Sequence, residues 1–413
     1  MPKKSTSTPE PLSQSPEDAT TRLVASTPRV GIAGRSTKNN RQALITDTHP
    51  AARDKTPWYK TRRGIILLIV GLVALLASAG VAYALLRPKP AKVAESPTPS
   101  PRTTPSESPK PVTKASLLTG VEMDPVKADQ PVVASIIENL SPNARPQSGL
   151  SSAGVVYEAL SEGGITRYLA VFQADVPTDI GPVRSLRPVF YDMAMEYGTP
   201  VAHAGGSSDG LALARSGKGF KDLDQFYNGR YFRRINTRYS PHNLYIYGPK
   251  LVELAKDKGW GGPPNFTAWP RKDDAPSGSP NASVVTVNFS GADYRAVFRY
   301  DSATNSYLRE VGGKPDKDAA ASNKQVNPKT VILLYATTVS GTQRNGKPKT
   351  DITVTGSGKG VVFQDGTATA VTWKKAGEVD RLKLTDESGN EVKLNRGQSW
   401  VSIAPTTLPA SWQ

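Results

Sequence analysis

The chain has 413 residues, enough for two or three domains, and no cysteine. The lack of cysteine excludes disulfides, thiolate metal sites, a cysteine nucleophile and a lipidated cysteine anchor. The formal charge of +16 sits mostly where no fold is expected: residues 1–63 carry 12 Lys/Arg against 5 Asp/Glu and residues 87–114 carry 6 against 2, leaving +5 for the rest. A nucleic-acid partner would require basic residues clustered on a folded face with aromatics between them, so none is expected.

Residues 1–63 are rich in Ser, Thr, Pro, Lys and Arg and lack hydrophobic periodicity. They read as a disordered cytoplasmic tail, its hydroxyls either phosphorylated or merely solvated. Residues 64–86 follow as a single transmembrane helix, whose uncharged run 65–86 is long enough for a hydrocarbon core of ~30 Å. The run is too long and too far from the start for a cleaved signal peptide, so it reads as a signal-anchor in the lipid bilayer of the cell membrane. Arg53, Lys55, Lys60, Arg62 and Arg63 precede it, whereas Arg87, Lys89 and Lys92 follow it. That bias puts the N-terminus in the cytoplasm and the remainder outside, in the cell envelope. Residues 87–114 repeat Ser-Pro and Thr-Pro and read as an extended stalk.

Residues 115–265 alternate short apolar runs with helical segments and predict an α/β or α+β domain. Strands are expected at Pro131–Ile137, Gly154–Leu160, Arg167–Gln173 and Pro200–Ala204. Pro188 suits the first turn of a helix, Ser207 or Ser208 can cap the next, to about Arg215, and Tyr247–Lys258 forms a third. Residues 266–282 read as a linker. Residues 283–413 show ten short strands with close turns, among them Asp365-Gly366, and predict an all-β sandwich or barrel-like domain.

Five polar runs lie in this extracytoplasmic part. They are Ile137-Glu138-Asn139 leading to Arg145-Pro146-Gln147-Ser148-Gly149-Leu150; Tyr157-Glu158-Ala159-Leu160-Ser161-Glu162-Gly163-Gly164-Ile165-Thr166-Arg167; Gly181-Pro182-Val183-Arg184-Ser185-Leu186-Arg187-Pro188; His203-Ala204-Gly205-Gly206; and Pro241-His242-Asn243-Leu244-Tyr245. Together they resemble the YerB-type lipoprotein family, also called DUF3048, over roughly 115–413. The resemblance implies a bacterial envelope protein with two domains and no settled activity. It also implies a lipid-modified cysteine at the front, which this chain lacks, with 65–86 in its place as anchor.

The residues themselves admit two functions. Glu158 and Glu162 could form the acid/base pair of a hydrolase or lyase acting on cell-wall glycan or an attached anionic polymer, assisted by His203 and His242. Arg145, Arg167, Arg184 and Arg187 present planar forks for carboxylate or phosphate, and Ser185, Gly205, Gly206 and Asn243 would complete a ligand site. Alternatively the arginines are spent on internal pairs with Glu138, Glu158, Glu162 and Asp192, and the protein is a non-catalytic cell-wall-binding or scaffold module. Gly206-Ser207-Ser208-Asp209-Gly210 matches a nucleophile-elbow pattern, but helix capping explains the same serines. His203, His242 and Asp209 are the one metal-ligand combination, at an uninformative spacing. No metal and no cofactor is expected.

Overall fold

The structure, a computed structural model, describes residues 112–343 and 345–413, together with six helical positions: Arg63, Ile66, Ile69, Val70, Leu72 and Leu76. Apart from those six, the expected cytoplasmic tail and membrane span lie outside the described residues, as does the stalk up to residue 111. Among the described residues no helix is long and apolar enough to cross a membrane. The chain divides into two units, residues 1–104 and 105–413.

In the second unit the apolar runs become strands β1 (Val133–Glu138), β2 (Val155–Leu160) and β3 (Thr166–Phe172), every residue of which is buried. Strands buried at every position are covered on both faces, and here the polar Ser135, Glu158 and Arg167 within them are buried as well. Helix α1 (Pro188–Met195) begins with proline at its first turn, where the missing N–H is not needed. Strand β4 (Pro200–His203) leads through a Gly-Gly turn into helix α2 (Ser208–Ala214). Ser207 caps α2, its side chain accepting from the Gly210 N–H at 3.1 Å. A short strand, β5 (Lys221–Asp224), and helix α3 (Gly248–Asp257) follow, and Asp179–Ile180, Leu244–Tyr247 and Phe232–Arg234 pair as a separate three-stranded sheet.

The remainder is almost entirely strand: β6 (Val284–Val287), β7 (Ala296–Asp301), β8 (Ser306–Val311), β9 (Thr330–Thr342), β10 (Pro348–Thr353), β11 (Gly356–Gln364), β12 (Thr367–Lys375), β13 (Lys383–Thr385) and β14 (Ser399–Pro405). Asp365 and Gly366 both take positive φ, 56° and 77°, and join β11 to β12 as a two-residue hairpin. The expected mixed half followed by a β-rich half is what the chain forms.

The halves share one sheet. Its order is β13-β12-β11-β9-β14-β2-β3-β1-β4-β5, with β10 paired to β9. Strand β14, from the end of the chain, lies between β9 and β2 and is parallel to both. Strands β6, β7 and β8 form a separate antiparallel sheet. It contributes Arg309, on β8, to a wholly buried site where its Nη2 lies 2.8 Å from Glu158 Oε2 on β2. Both side chains are 0% exposed. Arg309 also pairs with Asp316 and lies 4.3 Å from the Trp400 ring centroid. Thr166 Oγ1 (3.0 Å) and Trp400 Nε1 (3.2 Å) donate to Glu158. Burial opposes the charge on Arg309, but Glu158 leads the groups that outweigh it, so its pKa is raised.

Removing one member of a buried pair strands the other charge and costs about 3–5 kcal/mol. Arg309→Met is therefore expected to lower unfolding stability by about that amount, read by chemical denaturation; stability equal to the parent's would contradict the account.

Candidate functional site

All five polar runs meet on the segment 181–187, which crosses the ends of the central strands. Its backbone is held on several sides. Glu138 N–H donates to the Pro182 carbonyl (2.9 Å) and Arg184 N–H to that of Ile136 (2.9 Å). Val183 N–H donates to the Leu244 carbonyl at 2.7 Å, which brings in the His242 run. Leu186 N–H donates to the Gly205 carbonyl at 2.9 Å, and Ser148 and Gly181 exchange two hydrogen bonds.

The side chains then form two ion-pair groups. In the first, Glu138 accepts from Arg184 Nη2 at 2.8 Å and from His242 Nδ1 at 2.9 Å. In the second, Glu162 is gripped by the Arg187 fork, with Nε at 2.8 Å, and lies 3.5 Å from Arg167 Nη1. Arg167 also donates to the Ser185 carbonyl at 3.3 Å. Burial pushes the Glu162 carboxyl up, but the Arg187 hydrogen bond and the charges of Arg167 and Arg187 prevail and hold it at about 2. Arg167 is lowered to about 9, first by burial and then by the charge of Arg187, with Arg184 acting in the same direction. Three guanidinium groups thus crowd two carboxylates, and the surplus is positive.

Beside this lattice lies an open cleft of about 600 Å³ whose lining includes Arg184, Ser185, Gly206, Arg215, Phe226 and Arg234. Gly205 also lines it; its φ of +60° favours glycine, and a Cβ there would stand a tight 3.1 Å from the Phe226 ring. Among the described residues the Ser185 hydroxyl and the Ser185 and Gly206 N–H groups donate to no protein acceptor. Arg234 bonds only to Asn243 Oδ1, at 2.8 Å, and has no carboxylate partner among the described residues. Phe226 and Tyr227 stand on the rim 74% and 72% exposed, and Arg215 lies 5.4 Å from the Tyr227 ring centroid.

The sequence candidates are therefore distributed. Arg184, Ser185, Gly205 and Gly206 reach the cleft; Arg167, Arg187 and Glu162 stand behind it; His242 and Asn243 brace the loop that closes it. Arg145 is elsewhere, bonded to Asn139 Oδ1 at 2.8 Å. Glu158 is sealed in the core under Arg309, on no cavity shared with Glu162, so the two carboxylates form no acid/base pair. His203 is fully buried, its ring bridging the Gly205 carbonyl and Asp222 at 2.9 Å each. Ser208 bonds to Asp209 and Gln343 rather than to a histidine, so no nucleophile elbow is assembled. His203 gathers with Asp222 and Asp224 instead of with His242 and Asp209. That trio could hold a cation, but Asp224 already accepts from Gly205 N–H (2.9 Å) and Arg215 (3.2 Å), and it works as a clamp on the glycine turn.

Sequence reasoning missed Arg215, Phe226, Tyr227 and Arg234. The signal was present: residues 226–239 carry Arg230, Arg233, Arg234 and Arg238 among Phe226, Tyr227, Tyr231, Phe232 and Tyr239.

Residues 118–261 match the family described as "Protein of unknown function (DUF3048) N-terminal domain", and residues 285–401 match its C-terminal domain. The chain belongs to the DUF3048 family. A relative from Bacillus subtilis (strain 168), named "Putative lipoprotein YerB", is 29% identical over 298 residues, 71% of this chain and 87% of that one. The crystal structure of YerB protein from Bacillus subtilis has a TM-score of 0.64 at 27% identity, covering 72% of this chain and 99% of that one. The DUF3048 N-terminal match contains all five polar runs, and Arg309 and Trp400 lie within the C-terminal match.

Two pH responses follow. Glu162 is depressed from 4.5 to about 2, so its contribution to stability is present above 4.5 and is lost as pH falls towards 2. Glu162→Gln should be less stable than the parent at pH 7, and the gap should close over that window in acid denaturation. Asp192, which pairs with none of the motif arginines, is raised from 3.8 to about 6, first by burial and against the nearby Lys375. A raised carboxyl has the opposite sign: Asp192→Asn should gain on the parent as pH rises from 3.8 to 6 and keep that gain at pH 7.

Proposed function

We propose that this is a membrane-anchored extracytoplasmic protein whose cleft binds an anionic polymer of the cell envelope, a glycan or polyol chain bearing phosphate or carboxylate groups, without turning it over. The observation that carries this reading is the surplus of arginine over carboxylate around an open cleft with aromatic rims. Guanidinium forks and unengaged N–H and O–H donors suit oxyanions. Exposed aromatic faces suit the apolar faces of sugar or polyol units.

A hydrolase or lyase would need a carboxyl group able to exchange a proton near neutral pH. Glu162, held at about 2 by two arginines, does not offer one, and Glu158 is buried with Arg309 away from the cleft. For the address, the relative YerB is named a lipoprotein. This chain has no cysteine to carry a lipid, and we assign the uncharged run 65–86 as the anchor in its place, with the N-terminus cytoplasmic.

Arg234→Ala in the full-length chain is expected to weaken binding to isolated cell-wall material about tenfold, as for a charged hydrogen bond of ~1.4 kcal/mol. Added salt should weaken the parent as well. Mass spectrometry of the polymer should show no new chain ends after prolonged incubation. New ends, or full binding by the Arg234→Ala protein, would defeat the reading.

A further inference from the structure

A second cavity, of about 290 Å³, opens where the two halves meet, walled by Pro142, Arg145 and Pro146 on one side and by Asp293, Lys314 and Lys317 on the other. Its guanidinium is built in place. Arg145 Nε donates to Asn139 Oδ1 at 2.8 Å, Nη2 donates to the Asp293 carbonyl at 2.9 Å, and the group lies 5.4 Å from the Tyr294 ring centroid. The ion pairs of this region run through Arg167, Arg184, Arg187 and Arg309. Among the described residues none reaches Arg145, Lys314 or Lys317, and Asp293 is the one carboxylate of the lining that no cation pairs; Asp316 is taken by Arg309. The cavity is therefore cationic.

It is also next to the first cleft. Arg238 donates to the Asn143 carbonyl at 3.4 Å and to that of Pro146, which lines the second cavity. Three residues on, Pro241 lines the first cleft. One loop thus separates the two openings, and it carries an arginine with no carboxylate partner among the described residues. Tyr239, on the same loop, is 93% exposed.

We infer that the two cavities are successive subsites of one groove, joined across Arg238, that takes a linear polyanion carrying a negative group on each repeat. This rests on the binding reading above and extends it: the ligand must be long enough to occupy both subsites. Tethered repeats then bind with the effective concentration of a single chain, and affinity grows with length until both subsites are filled.

The test uses the full-length chain, titrated calorimetrically with glycerol 3-phosphate and with poly(glycerol phosphate) of increasing length. A parallel arm uses galacturonate and oligogalacturonates, which carry carboxylate instead. The parent is expected to bind the longer chains at least about tenfold more tightly than the single repeat. The steeper of the two arms identifies phosphate or carboxylate as the source of the charge. Lys314 and Lys317 are exposed and bond to no side chain among the described residues, so Lys314→Gln/Lys317→Gln preserves the fold. It should flatten the length dependence and remove the second site's share of single-repeat binding, while the share held by the first cleft, which Arg234→Ala weakens, persists. Arg234→Ala should weaken single repeat and polymer alike. A parent without length dependence, or a double variant with the parental dependence, overturns the inference while the cleft reading stands; the latter result would assign the effect to the basic segment 1–63. A parent that binds neither single repeats nor polymers overturns both.

Discussion

The fold depends on one buried charge. Arg309 brings a guanidinium into the space between two sheets, and burying an unpaired charge there would be prohibitive. Glu158 from the central sheet and Asp316 from the chain after β8 neutralise it, while Trp400, Tyr168 and Phe298 pack around it within 4.3–5.6 Å. These residues come from both halves of the sequence. The second half supplies Asp316 to Arg309, but Glu158 of the first half finds its cation, Arg309, and the donor Trp400 in the second, which ties the two halves of the unit 105–413 together. The parallel seating of β14 between β9 and β2 says the same in backbone hydrogen bonds.

With Glu158 committed to the core, the chemistry at the rim changes character. The segment 181–187 gathers the remaining motif residues, and its two carboxylate partners are each held by arginine. What is left over is cationic and faces an open cleft. The Gly205 turn, clamped through His203, Asp222 and Asp224, keeps the backbone low enough for Phe226 to approach, so the same local constraint shapes floor and rim. Guanidinium groups held in place in this way match the forks of carboxylate and phosphate, which is the basis of the proposed binding role.

Much of the architecture was legible in the sequence. Pro188, Ser207 and the Asp365-Gly366 pair act through backbone geometry that is local to a few residues, and they appear where expected. The buried strands were visible as predominantly apolar runs. The long ribbon of β9 and β10 exceeds the short strands expected there, because beyond Ala336 it is mostly polar and exposed and gives no period-two signal. Which arginine meets which carboxylate was not legible. Glu158 finds Arg309 across 151 positions, and Glu162 finds Arg187 across 25, so their roles depend on packing that no spacing encodes. The basic-aromatic stretch 226–239 was legible in composition, but only its placement beside Arg184 and Gly206 gives it meaning.

The most direct test of the central claim is a crystal structure of the protein soaked with a short poly(glycerol phosphate) or galacturonate oligomer. The account predicts an intact oligomer with one anionic group against Ser185, Gly206 and Arg234, a repeat packed on Phe226 or Tyr227, and Glu162 still paired with Arg187. An oligomer cleaved beside Glu162, or bound only away from this cleft, would contradict it.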